Sequence, residues 1–501
     1  MNRYESRSRN TQRNRTRVGC SERTPNALFS VVSPSYGFIL VKMIQLRSNQ
    51  TAPIQKAIEY FKEKNPKPSL IVLPTAWGKS ILTAYVALNC DDRLLVLQPS
   101  KELLEQNIKK YYALCGGLSA NAGIYSASFG SKEIAQITYA TIGSIKNLGA
   151  QFRQMGFTKV LIDEAHLYPR EADSMLGRFL KDSGITHVLG ITATPVKLQQ
   201  NYDRDGGTFS KLVMLTSRSK KGNFFKEIIH VGQVQEMVEL GFWSRLRYEA
   251  SDFDSSLLVY NTSKSEFTED SVLKAYNANG GAQGIIEALD KHPQRKHILV
   301  FCPSVQDAID LSRRYAGSAV IYGDMKPAER ASVINDFKAG RIRVIFNVRV
   351  LSTGFDYTGI DCIILGISTA SIALYYQIIG RATRIDEGKD DSLIVDLGGN
   401  VSRFGRVEDI TFEKGRIWRM FGTGGRLLSG IPITDIGKVT RDDTKDIDAR
   451  AVQPIELMPF GKYKGEKIAD IPLSYRRWML DTFEWTARND KLRKSIIATI
   501  Q

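Results

Sequence analysis

The sequence predicts an α/β fold with two tandem parallel-sheet domains and a small C-terminal α+β module. Short apolar runs such as SLIVLP and KVLIDEAH alternate with helix-like segments from residue 54 onward. This alternation is typical of a parallel sheet covered on both faces. It stops and then restarts near KHILVFCPS, so the same pattern is repeated, and the 501 residues are long enough for both units.

Each element follows from a local pattern, apolar runs for strands and a 3.6-residue period for helices. The first domain is expected to contain the strands SLIVLP, RLLVLQPS, QITYAT, KVLIDEAH and HVLGITATP, and the helices IQKAIEYFKEK, SILTAYVALNC and KELLEQNIKKYYALC. The second is expected to contain the strands KHILVFCPS, SAVIYG, RVIFNVRVLS, CIILGIS and SLIVDLG, and the helices VQDAIDLSRRYAG, KPAERASVINDFKAG and ALYYQIIGRATRI. The predicted boundaries are 43–240 for the first domain, 241–255 for a linker, 256–410 for the second domain, 411–455 for a connecting segment and 456–501 for the module.

Composition favours a nucleic-acid partner. The chain has a formal net charge of +16, which suits contact with a polyanion. Residues 1–42 are polar and Arg-rich, which predicts either a disordered basic arm or a mis-annotated start upstream of Met43. We expect a cytoplasmic protein of a bacterial cell or a phage-infected host, without membrane or zinc, since there is no long apolar run, no secretory signal and no C-x-x-C pair.

The segment LPTAWGKS lies between an expected strand and helix and is close to the phosphate-loop pattern G-x-x-x-x-G-K-[ST]. Such a loop needs backbone N–H groups at a helix N-terminus and a cation. Lys79 would reach the β- and γ-phosphates, and Ser80 would bind Mg²⁺. The residues expected around the nucleotide are Pro74, Thr75, Ala76, Trp77, Gly78, Lys79 and Ser80.

Leu73 and Ala76 stand in place of glycines in this loop, with Leu73 at the first glycine position of the pattern. Alanine reaches positive φ only at a cost in free energy. Trp77 occupies a variable position, and we interpret it as a surface or lid residue rather than one that stacks on a base.

Acidic residues follow 84 positions beyond Lys79, at the end of KVLIDEAH. Asp163 can hold Mg²⁺, and Glu164 can orient and deprotonate the attacking water. A helix cap would also place acidic residues here, but it would not explain their position after a phosphate loop. In GITATP, the hydroxyls of Thr192 and Thr194 could join the acidic pair to the neighbouring domain.

The second domain supplies a pair of arginines, Arg381 and Arg384, in YYQIIGRATRI. Their spacing of three places them on one face of the expected helix. They form either a solvated basic face or an arginine finger that stabilises charge on the γ-phosphate.

Taken together, the segments resemble the superfamily 2 helicases and translocases over about residues 44–400. The matching segments, in order, are LRSNQ, PTAWGKS, LQPSKELLEQ, ITYATIGS, LIDEAH, GITATP, ILVFCPS, STGFD and QIIGRATR. The chain looks most like the RadD-type and phage-type DEAH-box DNA helicases. The resemblance implies two RecA-like domains with ATP and Mg²⁺ between them, although the four-cysteine zinc module of RadD proteins has no counterpart here.

The resemblance also implies roles for residues that spacing alone does not assign. Gln50 would read the adenine edge with Arg47 nearby, and Gly354 and Asp356 would lie near the ribose and phosphates. His166, Thr192 and Thr194 would couple the ATP state to nucleic acid. Gln377, Arg381 and Arg384 would complete the site, and Ser100, Lys101, Thr141 and Ser304 would contact the nucleic-acid strand.

The tail segment MPFGKYKGEKIADIPLSYRRWMLD resembles a small module at the C-termini of exonuclease-like and phage proteins. Lys462 and Lys464 alternate with aromatic residues, which suits stacking and phosphate contact with a single strand. The other interpretation is a miniature core, compatible with the first. Its expected members are Phe460, Ile468, Ile471, Tyr475, Trp478 and Met479.

The sequence thus predicts an ATP-dependent DNA helicase or translocase that works as a monomeric motor. An RNA helicase with the same motor is the nearest alternative, because backbone contacts largely ignore the base. The alternative from another class is a clamp that binds nucleic-acid structures with little ATPase activity.

Overall fold

The computed structural model describes residues 46–115, 121–168, 174–202, 207–216, 224–352, 355–444, 456–483 and 490–500. The predictions made for residues 1–42 and for Gly354 lie outside these ranges. None of the helices in the described part of the chain has the length and apolar character needed to span a lipid bilayer.

The first domain is built on a mostly parallel sheet, whose central strands are four-residue apolar runs with every residue buried. Its strands within the described residues are β1 (Ser69–Val72), β2 (Leu94–Leu97), β3 (Ala122–Ser126), β4 (Ser131–Lys132), β5 (Ile137–Ala140), β6 (Lys159–Ile162), β7 (His187–Thr192) and, beyond the hairpin of β8 (Val196–Tyr202) and β9 (Thr208–Met214), β10 (Glu227–Val231). The spatial order is β10-β1-β7-β6-β2-β5-β3-β4, and only the β3–β4 pairing is antiparallel. The β8–β9 hairpin was not predicted.

Helices connect these strands. They are α1 (Thr51–Tyr60), α2 (Lys79–Leu88), α3 (Lys101–Cys115), α4 (Ile142–Ile145), α5 (Gly149–Gln154), α6 (Met175–Ser183) and α7 (Val234–Glu239). Because β1, β7 and β6 are neighbours, the segments that follow them meet at one edge of the sheet. Those segments are the phosphate loop, GITATP and DEAH, so strand order alone assembles the predicted site.

The second domain repeats the arrangement with a fully parallel sheet. Its strands are β11 (Arg245–Ala250), β12 (Ile298–Phe301), β13 (Ser318–Ile321), β14 (Val344–Asn347), β15 (Cys362–Leu365) and β16 (Asp391–Asp396), in the order β11-β16-β15-β12-β14-β13. Its helices are α8 (Glu269–Ala278), α9 (Gly281–Lys291), α10 (Val305–Arg314), α11 (Pro327–Lys338), α12 (Ile372–Ile379) and α13 (Asn400–Phe404). Two tandem parallel-sheet α/β domains are therefore confirmed.

Two boundaries differ from the prediction. The stretch 241–255 was interpreted as a linker, but it contains β11, which pairs in parallel with β16 at the edge of the second sheet. The expected helix ALYYQIIGRATRI ends at Ile379, so Arg381 and Arg384 lie in the turn that follows and not on a helical face. The connecting segment contains an antiparallel hairpin of β17 (Thr411–Lys414) and β18 (Trp418–Phe421).

The C-terminal module contains α14 (Leu473–Thr482) and α15 (Asp490–Ala498), with an antiparallel bridge between Leu457 and Lys467. Its apolar core consists of Met458, Ile468, Ile471, Met479, Leu492 and Ile496, with Tyr463 and Tyr475 packed against it. The predicted core members Phe460 and Trp478 are instead 38% and 49% exposed. The module therefore has a core of its own and leaves aromatic rings at its surface.

Candidate nucleotide and nucleic-acid site

The phosphate loop links β1 to α2 with two residues in the left-handed backbone region. Gly78, which precedes the first helical residue Lys79, has φ of 98°. A side chain there would also collide with Gln50, since a Cβ atom would lie 2.8 Å from Gln50 Nε2. Ala76 has φ of 56°, so alanine adopts the strained conformation that the sequence analysis associated with its position.

Trp77 contradicts its interpretation as a surface or lid residue. Its side chain is 1% exposed and ranks among the largest fully buried side chains in the described residues. It packs close to Gly232, where a Cβ atom would lie 3.8 Å from Trp77 Nε1 and 3.3 Å from Pro74 Cδ. Trp77 is therefore part of the core beneath the loop.

The side chains of Gln50 and Arg47 donate hydrogen bonds to carbonyls of the phosphate loop. Gln50 Nε2 donates to the Trp77 carbonyl at 2.8 Å, and Gln50 Oε1 accepts from the Arg47 backbone N–H at 3.0 Å. Arg47 Nη1 donates to the Ala76 carbonyl at 3.3 Å. Both ends of the Gln50 amide are thus bonded to protein, whereas the sequence prediction had this side chain reading the adenine edge.

The acidic pair follows β6. Asp163 is buried, and its carboxylate accepts from the Glu164 backbone N–H at 2.9 Å and from Asn107 Nδ2 at 3.3 Å. Burial and the neighbouring Glu164 carboxylate raise the pKa of Asp163 to about 6. Asn107, on α3, was not predicted as a site residue, because a single polar residue on an amphipathic helix does not stand out in the sequence.

Glu164 is the partner of Lys79, whose Nζ donates to Glu164 Oε1. Burial alone would raise the pKa of the Glu164 carboxyl, but Lys79, with His166 and Arg381, outweighs burial and lowers that pKa. The other oxygen, Glu164 Oε2, is buried without a hydrogen-bond partner. The carboxylate is therefore ionised at neutral pH, and its Oε2 lies 3.5 Å from His166 Nδ1.

His166 connects the two domains. His166 Nδ1 lies 2.8 Å from Thr192 Oγ1, and His166 Nε2 lies 3.1 Å from Gln377 Nε2. Thr192 Oγ1 in turn donates to the Thr194 carbonyl at 3.2 Å and accepts from the Thr194 backbone N–H at 3.1 Å. The structure thus brings together the predicted coupling residues and Gln377.

The two arginines differ in their partners. Arg381 donates to the carbonyls of Ser352 and Phe355 at 2.7–3.2 Å, and burial, together with Arg384, lowers its pKa to about 10. Arg384 Nη1 lies 2.6 Å from Asp356 Oδ1, whose carboxylate side chain is 55% exposed. Arg381 is fixed by backbone, while Arg384 is held by a partner that solvent can reach.

Mg²⁺ was predicted to bind Ser80 and Asp163, and the donor set fits. Hydroxyl and carboxylate oxygens are the ligands this hard cation prefers, and the unpartnered Glu164 Oε2 is a polar atom that a bound water would satisfy. Within the described ranges, no group of three or more His, Cys, Asp or Glu side chains is placed to hold a metal ion.

The predicted strand-contacting residues lie where strands end and helices begin. Ser100 follows β2 and accepts from the Leu103 backbone N–H at 3.3 Å, while Thr141, after the neighbouring β5, pairs with Ser144 Oγ at 2.9 Å. Ser304 caps α10 by accepting from the Asp307 backbone N–H at 3.1 Å. Lys101 is exposed at the start of α3, with its ammonium 5.4 Å from the Phe129 ring.

The fold and the site combine two tandem parallel-sheet domains with a phosphate-loop segment of the kind that nucleotide-binding proteins carry. Residues 43–197 match the family described as the type III restriction enzyme res subunit, and residues 282–386 match the helicase conserved C-terminal domain. Each match covers less than half of the chain, and the two fall in the first and the second α/β domain. Residues 453–483 match a family described as a quorum-sensing-regulated virulence factor.

Individual relatives are helicases by name. The mitochondrial ATP-dependent helicase irc3 of Schizosaccharomyces pombe is 23% identical over 381 residues, which cover 72% of this chain and 58% of that protein. The DEAD-box ATP-dependent RNA helicase 7 of Oryza sativa subsp. japonica is 23% identical over 333 residues, which cover 64% of this chain and 42% of that protein.

A solved structure shares the fold. The DNA-bound, ATP-dependent Type ISP restriction-modification enzyme LlaBIII superposes with a TM-score of 0.52 and 18% identity, covering 71% of this chain and 28% of that protein. The chain therefore spans about a quarter to three fifths of the length of these relatives. The similarity supports two RecA-like domains.

Proposed function

We propose that the chain is an ATP-dependent helicase or translocase that acts on DNA. The observation that carries this proposal is the contact of Lys79 with Glu164 at a sheet edge that Gln377 and Arg381 of the second domain also reach. A phosphate-binding cation, an ionised carboxylate and arginines from a second domain are the parts that phosphoryl transfer to water requires.

In this proposal Lys79 exchanges Glu164 for the β- and γ-phosphates when ATP binds. Glu164 is then free to accept the proton of the attacking water. Ser80 and Asp163 would hold Mg²⁺, which offsets charge on the phosphate oxygens.

Arg384 is the proposed arginine finger. Its ion pair with the half-exposed Asp356 can be exchanged for a phosphate, whereas Arg381 is held by two backbone carbonyls. The exchange would favour closure of the two domains around the nucleotide.

The nucleic acid would run along the edge where Ser100, Lys101 and Thr141 lie. Helix N-termini offer backbone N–H groups to phosphates, so these contacts would position a strand without reading its sequence. The His166–Gln377 contact lies between this edge and the second domain and would transmit the nucleotide state. An RNA substrate stays the alternative, since the relatives include an RNA helicase by name.

The decisive experiment measures ATP hydrolysis without nucleic acid, with single-stranded DNA and with RNA of matched sequence. We expect DNA to stimulate hydrolysis strongly and RNA to stimulate it weakly. Stimulation by RNA alone would move the substrate to RNA. Absence of hydrolysis from folded protein that still binds nucleic acid would favour the clamp.

Two substitutions test the mechanism in the same assay. Lys79→Ala should abolish hydrolysis by removing the phosphate-binding cation, and Glu164→Gln should abolish it while ATP stays bound, because only the base is lost. Lys109→Ala, which removes an exposed ion pair on α3, is the matched control. Turnover at the wild-type rate in either site variant would contradict the assigned roles.

A further inference from the structure

Three consecutive carbonyls of the phosphate loop each accept a hydrogen bond from a side chain. The Ala76 and Trp77 carbonyls are bonded by Arg47 and Gln50, as described above. The Thr75 carbonyl accepts from Trp243 Nε1 at 3.0 Å. Trp243 lies in the stretch that the sequence analysis interpreted as a linker, so neither motif nor spacing assigned it a role.

These hydrogen bonds stabilise a backbone conformation that is unfavourable for alanine. A loop that must cradle phosphates has to direct its N–H groups inward and its carbonyls outward. Glycine would reach that backbone shape easily, but Ala76 occupies it at φ of 56° against an unfavourable preference. Hydrogen bonds to the carbonyls on both sides of the strained residue hold the loop in this conformation, which glycine would adopt without such bonds.

Trp243 is itself firmly placed. Its side chain is buried, and its backbone N–H donates to the Met237 carbonyl at 3.0 Å in the turn after α7. The preceding Phe242 ring lies 4.8 Å beneath the Arg47 guanidinium, so the same turn also supports the neighbouring donor. One short segment thus contributes to two of the three loop contacts.

The same segment is tied to the second domain. The Ser244 backbone N–H donates to the Thr383 carbonyl at 2.7 Å, next to Arg384, and β11 starts at the following residue. Thr75 also packs on Gly380, where a Cβ atom would lie 2.6 Å from Thr75 Oγ1. Adjacent residues therefore connect the arginine-bearing turn to the Thr75 carbonyl.

We propose that Trp243 is a positioning residue for ATP hydrolysis, which holds the strained phosphate loop open for nucleotide and links it to the arginine-bearing turn. The inference rests on the proposed ATPase function. Trp243 touches neither phosphate nor water in this scheme; it acts through the Thr75 carbonyl.

The test is Trp243→Phe, which keeps an aromatic ring and removes the N–H donor. We expect KM for ATP to rise about tenfold, the effect of one lost hydrogen bond to a half-buried acceptor, with a smaller change in kcat. In the Ala76→Gly background the same substitution should raise KM only about twofold, because glycine holds positive φ without support. A Trp418→Phe variant, on the β17–β18 hairpin, is the matched control and should leave KM unchanged.

Two results would overturn the proposal: an unchanged KM in Trp243→Phe, or an equal rise in both backgrounds. Hydrogen exchange of the peptide spanning residues 73–82, without nucleotide, provides a second readout that does not depend on turnover. Faster exchange in Trp243→Phe than in Trp418→Phe supports the role, and equal exchange rejects it. If the wild-type protein hydrolyses no ATP, the proposed function fails. The hydrogen-exchange data then still show whether Trp243 holds the phosphate loop.

Discussion

Ala76 shows how much a single residue of the site can be read from sequence. The pattern identified it as the position where glycine is usual, and the structure gives it φ of 56°. Burial was harder to foresee at the next residue. Trp77 is inside because the chain around Gly232 and Pro74 leaves room for an indole, and no local pattern encodes that space.

The strain at Ala76 leads to a prediction. Ala76→Gly should stabilise the folded protein by about 0.5–1 kcal/mol and tighten ATP binding a few-fold, because glycine adopts positive φ without steric cost. Thermal unfolding and equilibrium titration with ATP measure the two effects.

The control for Ala76→Gly is a second alanine in a loop. Ala135→Gly should lower stability, since Ala135 is not among the residues with positive φ and glycine there only adds freedom to the unfolded chain. Destabilisation of similar size in both variants would show that Ala76 is not strained.

At the scale of elements, buried strands were predictable and edge strands were not. The runs SLIV, LLVL and KVLI are wholly buried, so hydrophobicity alone identifies them. By contrast, β11 reads RLRYEA and is exposed or half-buried along its length, because it lies at the edge of the second sheet. A strand without an apolar run resembles a linker, which is why 241–255 was assigned wrongly.

The turn that follows α12 is held by bonds that sequence periodicity does not contain. Two of its carbonyls accept hydrogen bonds from side chains further along the chain. Lys389 Nζ donates to the Ala382 and Arg384 carbonyls at 2.9 and 2.7 Å, and Ser392 Oγ donates to the Ala382 carbonyl at 2.7 Å. Side chains that lie outside the arginine-bearing turn therefore fix its conformation.

Lys389→Met should loosen this turn while keeping the length of the side chain. Burial lowers the pKa of Lys389 to about 8, so the ammonium is still mostly charged at neutral pH, and its loss removes the donor to the Arg384 carbonyl while Ser392 Oγ still donates to the Ala382 carbonyl. We expect kcat for ATP hydrolysis to fall about tenfold. Steady-state kinetics at pH 7 measure it.

A lysine outside the site gives the comparison. Lys291→Met removes an exposed partner of Glu249, and such pairs contribute little, so its kcat should match the wild-type value. An equal kcat in Lys389→Met and Lys291→Met would show that Lys389 has no part in placing Arg384.

At the scale of the whole molecule, the site depends on contacts that no local pattern specifies. Gln377 and His166 are 211 residues apart in sequence and 3.1 Å apart in the structure. The resemblance named both residues, but only the arrangement of two sheets explains why they meet. Strand order likewise brings the loops after β1, β7 and β6 to one edge.

The C-terminal module carries exposed aromatic rings on its surface. Phe460 stacks on Phe483 at a ring-centroid distance of 5.5 Å, and Trp478 lies 5.3 Å from Tyr475. Lys462 and Lys464 are exposed on the same loop as Phe460. Exposed rings beside cations are suited to stacking on bases and contacting phosphates.

Trp478→Ala should therefore weaken binding of a single-stranded oligonucleotide about tenfold, since one base–aromatic stack is lost. Fluorescence anisotropy with labelled DNA and RNA measures the dissociation constants, and thermal unfolding confirms that the module stays folded. Leu473→Ala removes a comparably exposed apolar side chain from the same helix but no ring, so its affinity should stay at the wild-type value. Equal affinities for Trp478→Ala, Leu473→Ala and the wild type would mean that the rings serve packing and not the nucleic acid, and any binding of the oligonucleotide would then be assigned to the two RecA-like domains.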